Sequence, residues 1–160
     1  MSRRHHRATI CVVLVLALTL PALPADGQQV ARDTPQDLLD AWVELWSTYD
    51  LDMVSALFLQ GDALTYFSSE TEGLLEGFDK IVEHHRGFGF VPGGDARDQL
   101  IWVRDVRIEE FGQTALIGAI WYFGDPESPA DAQRGPMSVL AVRTADGYRI
   151  AHMHFATYTE

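Results

Sequence analysis

Cysteine is nearly missing from this chain of 160 residues: Cys11 is the only one. It stands at the start of an apolar run, not at the end where a lipid-attachment cysteine would stand, and it falls in a segment expected to be removed. The rest of the chain has no thiol, which excludes disulfides, thiolate metal sites and cysteine nucleophiles. Basic residues are also scarce, with 12 Lys plus Arg against 23 Asp plus Glu and a formal net charge of −11. The apolar run from Ala8 to Leu20 falls short of the roughly 20 residues that a membrane-spanning helix needs. No internal repeat and no low-complexity tract is present.

What is present begins with a leader. Arg3, Arg4 and Arg7 precede the apolar run, Pro21, Pro24 and small residues follow it, and Ala25-Asp26-Gly27 offers small residues at the two positions a signal peptidase reads. Residues 1–28 therefore read as a secretory signal peptide cut near Gly27 or Gln28, with an uncleaved anchor as the alternative, and the expected location is secreted or periplasmic. Removing that leader takes three Arg and one Asp, leaving nine basic and 22 acidic residues, a net of −13. Such a surface repels phosphate backbones and anionic lipid, so no nucleic acid and, after cleavage, no membrane is expected as a partner. Residues 29–160 suit one domain.

Helical signals come first in that domain. Thr34-Pro35-Gln36-Asp37 has the form of a helix start, with Thr34 as N-cap, Pro35 at the first helical position and acid in the first turn. Leu38, Leu39, Trp42, Leu45, Trp46 and Tyr49 follow at spacings of three and four, which predicts an amphipathic helix of about four turns. Asp50 can cap a shorter second helix that Gly61 ends. Ala63 to Ser68 reads as a short strand, and a third helix starts at Gly77-Phe78-Asp79 with Phe78, Ile81, Val82 and His85 on one face. From Gln99 onward the period is two, with turns at Phe111-Gly112-Gln113 and Asp146-Gly147 and a loop from Gly124 to Gly135. Helices followed by consecutive strands predict an α+β fold with helices packed on an antiparallel sheet.

On these residues the chain resembles the nuclear-transport-factor-2-like superfamily, in its branch of SnoaL-like domains that includes polyketide cyclases, ketosteroid isomerase and scytalone dehydratase. The matching features are the opening helix ending in Tyr49-Asp50, then Leu57-Phe58 and Gly61-Asp62-Ala63 leading into Tyr66, the Gly77 to Ile81 helix start, Thr114-Ala115 opening a long strand, and Gly147 to His154 with its Ile-x-His-x-His ending. The resemblance covers about residues 34–158. It implies a cone-shaped domain whose strongly curved sheet wraps a long helix and encloses a pocket, commonly with a homodimer formed through the outer sheet face.

Strand alternation assigns residues to that pocket. Tyr148, Ile150, His152 and His154 share a face of the last strand, and Trp42, Trp46, Tyr49 and His85 join from helices. His152 and His154, about 7 Å apart at the usual rise per residue, suit acid/base work or the ordering of buried carbonyls. With His85 they offer three imidazoles, yet no carboxylate partner completes a metal motif, so no metal and no cofactor is expected. Arg104 sits between Trp102 and Val106 on the apolar register, where an inward guanidinium must meet an anion, unless a bulge turns it outward. Candidate catalytic residues are therefore His152, His154, Arg104 and Tyr49. Trp42, Trp46, Tyr66, His85, Trp102, Trp121 and Ile150 are the candidate ligand-binding residues. The leading functional expectation is an exported protein that binds a small hydrophobic or aromatic molecule between helix and sheet. An acid/base enzyme of the isomerase, cyclase or dehydratase type is the alternative, and a non-catalytic dimerisation module a further one.

Overall fold

Thr34 starts the first helix with a reciprocal pair of bonds: its hydroxyl accepts from Asp37 N–H at 3.1 Å, and its own N–H donates to Asp37 Oδ2 at 2.9 Å. This capping box satisfies two of the donors that a helix start leaves open. The computed structural model describes residues 32–159, so the leader lies outside the described residues. Helix α1 (Pro35–Thr48) buries Leu38, Leu39, Trp42, Leu45 and Trp46 along one stripe, and Tyr49 at φ 53° stops it. Asp50 caps α2 (Leu51–Leu57) by accepting from Asp52 N–H at 2.9 Å. Then come β1 (Thr65–Phe67), β2 (Leu74–Glu76), α3 (Phe78–Gly87), β3 (Leu100–Phe111), β4 (Thr114–Gly124), β5 (Gln133–Thr144) and β6 (Gly147–Phe155).

The strands form one curled, open sheet in the order β2-β1-β6-β5-β4-β3, with α1 packed on β3 and β6. The α+β cone is as expected from sequence, with one difference: the sheet is mixed. β1 runs parallel to β6, Thr65 opposite His152, because α3 and the β3–β5 meander separate the two in sequence and no hairpin joins them. Strand β2 has three residues, too few for alternation to register.

Two irregularities decide which side chains face the helices. In β3 the pairing with β4 slips between Arg104 and Arg107, so Asp105 and Val106 together oppose one residue of β4, and Asp105 takes φ 52°. In β6, Ile150 pairs with Ala141 but His152 pairs with Leu140, which leaves Ala151 as the extra residue. Because side chains alternate with period two, one extra residue exchanges the faces beyond it. Tyr148 and Ile150 are inward before the Ala151 bulge, and Met153 and Phe155 are inward after it.

The end of β6 also holds the pocket wall. Trp121 Nε1–H donates to the Ala156 carbonyl at 2.9 Å, and that carbonyl lies directly over Gly135, where any Cβ would overlap it. At the other end, Arg149 Nη1 donates to the Ser55 and Ala56 carbonyls at 2.8 and 3.1 Å, supplying a cation to the open carbonyls at the end of α2. Gly135→Ala is expected to push residue 156 off the sheet, break the Trp121 bond and cost on the order of 3 kcal/mol, within or slightly above the usual overpacking range. A denaturant midpoint unchanged from wild type would contradict this placement.

Candidate functional site

A cavity of about 210 Å³ opens between α1, α3 and the inner face of the sheet. Trp46 enters it from α1, Tyr66 from β1, His84 and Phe88 from α3 and its end, Trp121 and Phe123 from β4, and Phe155 from β6. Ile101 closes the floor, while Ser68, Ser69, Glu70 and Gln133 line the side where the exposed residues mark a mouth. Glu70 Oε1 accepts from Ser69 Oγ at 3.1 Å and lies 3.5 Å from Gln133 Nε2, a loose tie between the loop after β1 and strand β5.

The polar groups inside are few. Tyr66 is 2% exposed, and its hydroxyl has no hydrogen-bond partner among the described residues although it borders the cavity. Burial pushes its pKa upward, so it is a neutral donor at any physiological pH. His84 lies half-buried with its ring 5.3 Å from that of Tyr66. Burial lowers its pKa, and the nearby Glu70 carboxylate opposes that shift. The pocket thus offers a neutral imidazole, a phenol and one carboxylate on an otherwise aromatic wall.

Of the residues expected at the site, Trp46, Tyr66 and Trp121 line this cavity. Trp42 and Ile150 are core residues, each 1% exposed, with Trp42 packed on Phe155 at 5.4 Å between ring centres. Tyr49 ends α1 and packs against Phe90 with ring centres 4.6 Å apart, away from the lining. The inward placement of His152 and His154 is corrected: the Ala151 bulge turns both to the outer face, where Phe67 touches both rings and Thr65 Oγ1 lies 2.8 Å from His152 Nδ1. Arg104 is outward too, on the same face as Trp102. Trp102 stacks on Tyr122 at 5.4 Å, and the Arg104 guanidinium lies over that tyrosine ring at 5.2 Å. The inward register of β3 is Ile101 and Val103 before the bulge and Ile108 after it, not the line through Arg104. His85, His152 and His154 therefore do not converge.

His84, Phe88, Phe123 and Phe155 are cavity residues absent from the sequence-based candidates, and Glu70, a loop carboxylate that reads as solvated, lines the cavity as well. Extending the helical line Ile81, His84, Phe88 past Gly87 would have found the α3 contribution. The period-two line Leu64, Tyr66, Ser68, Glu70 pointed to the carboxylate.

His85 has a different role. It is fully buried, its Nδ1–H donates to the Ile81 carbonyl at 2.8 Å, and its Nε2 has no partner among the described residues. Burial lowers its pKa to about 4, with the Ile81 carbonyl opposing and His84 adding to the shift. Since the unfolded chain binds this proton near pH 6.5 and the folded one only near 4, stability is full above 6.5 and falls as pH drops toward 4. Wild type is expected to lose on the order of 2 kcal/mol between pH 7 and 4.5 through this group, a loss absent in His85→Leu. Equal pH dependence of the two proteins in urea unfolding would contradict it.

Comparison with known proteins places these features in a family. The SnoaL-like domain family matches residues 36–159. No curated protein matches the chain. Among solved structures, a nuclear transport factor 2-like superfamily protein from Salmonella enterica serovar Typhimurium aligns with TM-score 0.62 and 16% identity, over 78% of this chain and 88% of that one. A candidate ketosteroid isomerase from Parabacteroides distasonis aligns with TM-score 0.61 and 13% identity over 82% and 93%, and the CaMKII hub of S. rosetta with 0.62 and 19% over 87% and 100%. At such identities the likeness is one of fold, and these folds serve unrelated activities. With a family match running from α1 to the end of the described chain, this protein belongs to the SnoaL-like domain family.

Proposed function

We propose that this chain is an exported binding protein for a small, largely apolar molecule held between α1, α3 and the sheet. The observation that carries the reading is the preformed cavity of about 210 Å³ with aromatic walls and a single unpartnered phenol. Sites for drug-sized ligands run from about 300 Å³ upward, so the ligand is small, of one or two rings or their equivalent. Its recognition combines burial against the rings with one hydrogen bond to Tyr66.

A second reading has its own support. Neutral His84, Tyr66 and Glu70 share one cavity, which is the set a proton transfer next to a carbonyl needs: a group that can take the proton and a donor to the developing oxyanion. In that case the work falls to these three, since Arg104, His152 and His154 lie across the sheet. Thermal-shift screening of small aromatics such as indole and 2-naphthol tests the pocket. At a hundred times Kd a ligand adds about 2.7 kcal/mol to stability, and this gain is expected to vanish in a cavity-filling Phe155→Trp variant. Absence of any shift across the set would end the binding reading. Turnover of a hit decides for the enzyme reading, and its loss in His84→Gln with binding retained assigns the proton transfer to His84.

The outer sheet face supports a further part of the proposal, self-association. Phe67, Leu116 and Leu140 are 41%, 46% and 39% exposed there, beside half-buried Ile120 and Val142, apolar side chains that a second copy would cover. We expect two copies to pack through it, His152 and His154 included. Sedimentation should show a dimer that Leu116→Glu with Leu140→Glu converts to a monomer, and a wild-type monomer at high micromolar concentration would contradict it.

A further inference from the structure

Charge inside the cavity is confined to one group. Among the described residues that line it, Glu70 is the only one carrying a formal charge at neutral pH, and no lysine or arginine is among them. His84 stays neutral because burial opposes its protonation. The cavity behind this carboxylate is lined by six aromatic side chains, Trp46, Tyr66, Phe88, Trp121, Phe123 and Phe155. An anionic ligand would meet Glu70 without any cation to offset its lost hydration. A neutral ligand gains only the area it buries. An organic cation gains the same area together with attraction to the ring quadrupoles and to the carboxylate at the mouth. The excess of 23 acidic over 12 basic residues adds a long-range field of the same sign.

From this combination we propose that the pocket selects small organic cations, alkylammonium or arylalkylammonium ions whose apolar groups pack on the rings while the charge lies toward Glu70. The inference rests on the cavity being the ligand site and names the chemistry of its ligand. It reverses the simplest expectation from sequence, in which the inward polar residues were basic. The reversal follows from the β6 bulge, which turns His152 and His154 to the outer face, and from the inward register of Ile101 and Val103 in β3, which leaves Arg104 outward.

The test uses two molecules of one shape: choline, and 3,3-dimethyl-1-butanol, in which carbon replaces the charged nitrogen. Tryptophan fluorescence and calorimetric titration in phosphate buffer at pH 7.5 should show choline binding about tenfold more tightly than the alcohol. Glu70→Gln, at an exposed loop position and expected to keep the wild-type melting temperature, should weaken choline about fivefold and leave the alcohol unchanged. Equal binding of the two molecules overturns the cation inference and leaves the pocket standing, as does silence of both while indole binds. A choline preference unchanged in Glu70→Gln marks general surface attraction and overturns it as well. Failure of choline, the alcohol and indole together removes the pocket reading itself.

Discussion

A β-strand that lies on a core can change the face it offers only by gaining or losing one residue in its pairing, and this protein does so twice. In β3 the pair Asp105-Val106 faces a single residue of β4, and in β6 Ala151 is the extra one. The interior depends on both. Without the second bulge, either Tyr148 and Ile150 or Met153 and Phe155 would point to solvent, a loss of about 1.5–3 kcal/mol for each large apolar side chain exposed. Phe155 is also the residue that links the core to the pocket: it packs on Trp42 and stacks on Trp121 at 4.9 Å. The bulge is thus as much a part of the pocket as the residues lining it.

The wall that results is largely aromatic. Trp46 touches Phe88, Phe90 and Phe123 edge to face, and His85 sits among Trp46, Phe58, Tyr66 and Phe90. Three buried polar atoms, Trp42 Nε1, Trp46 Nε1 and His85 Nε2, have no hydrogen-bond partner among the described residues. Each costs about 1–3 kcal/mol relative to a satisfied group, so they persist because the aromatic packing around them outweighs that cost. A wall held this way is formed before any ligand arrives. The entropy of ordering it is met in folding and not in binding, which favours tight binding of a small molecule.

Much of the fold was legible because its signals are local. The Thr34–Asp37 capping box, the stripe from Leu38 to Trp46 and the change of period after Gln99 all act over a few residues, and the α+β cone follows from them. The bulges were written in the sequence as well, though less plainly. Large apolar residues change parity, from Ile101 and Val103 to Ile108 in β3 and from Tyr148 and Ile150 to Met153 and Phe155 in β6. A strict alternation could not seat both halves in one core, yet it was strict alternation that placed His152, His154 and Arg104 inside. His84 was hidden for another reason. Its neighbour His85 shares the face of Ile81 and Val82 and draws the eye first, while His84 lies on the line Ile81, His84, Phe88 that runs past the glycine ending α3. One histidine completes the core and the other borders the cavity.

The four histidines among the described residues thus fall in three places: His85 in the core, His84 at the cavity, and His152 and His154 behind the sheet. Function, as proposed, lies with His84 and the rings around it, and the outer pair belongs to the surface through which copies meet. Carbethoxylation rates of the individual histidines, read by mass spectrometry with and without saturating indole, test that division most directly. The account predicts that indole slows modification of His84 and leaves His152 and His154 unchanged. Protection of His152 and His154 with His84 unaffected would place the ligand on the other face of the sheet and contradict it.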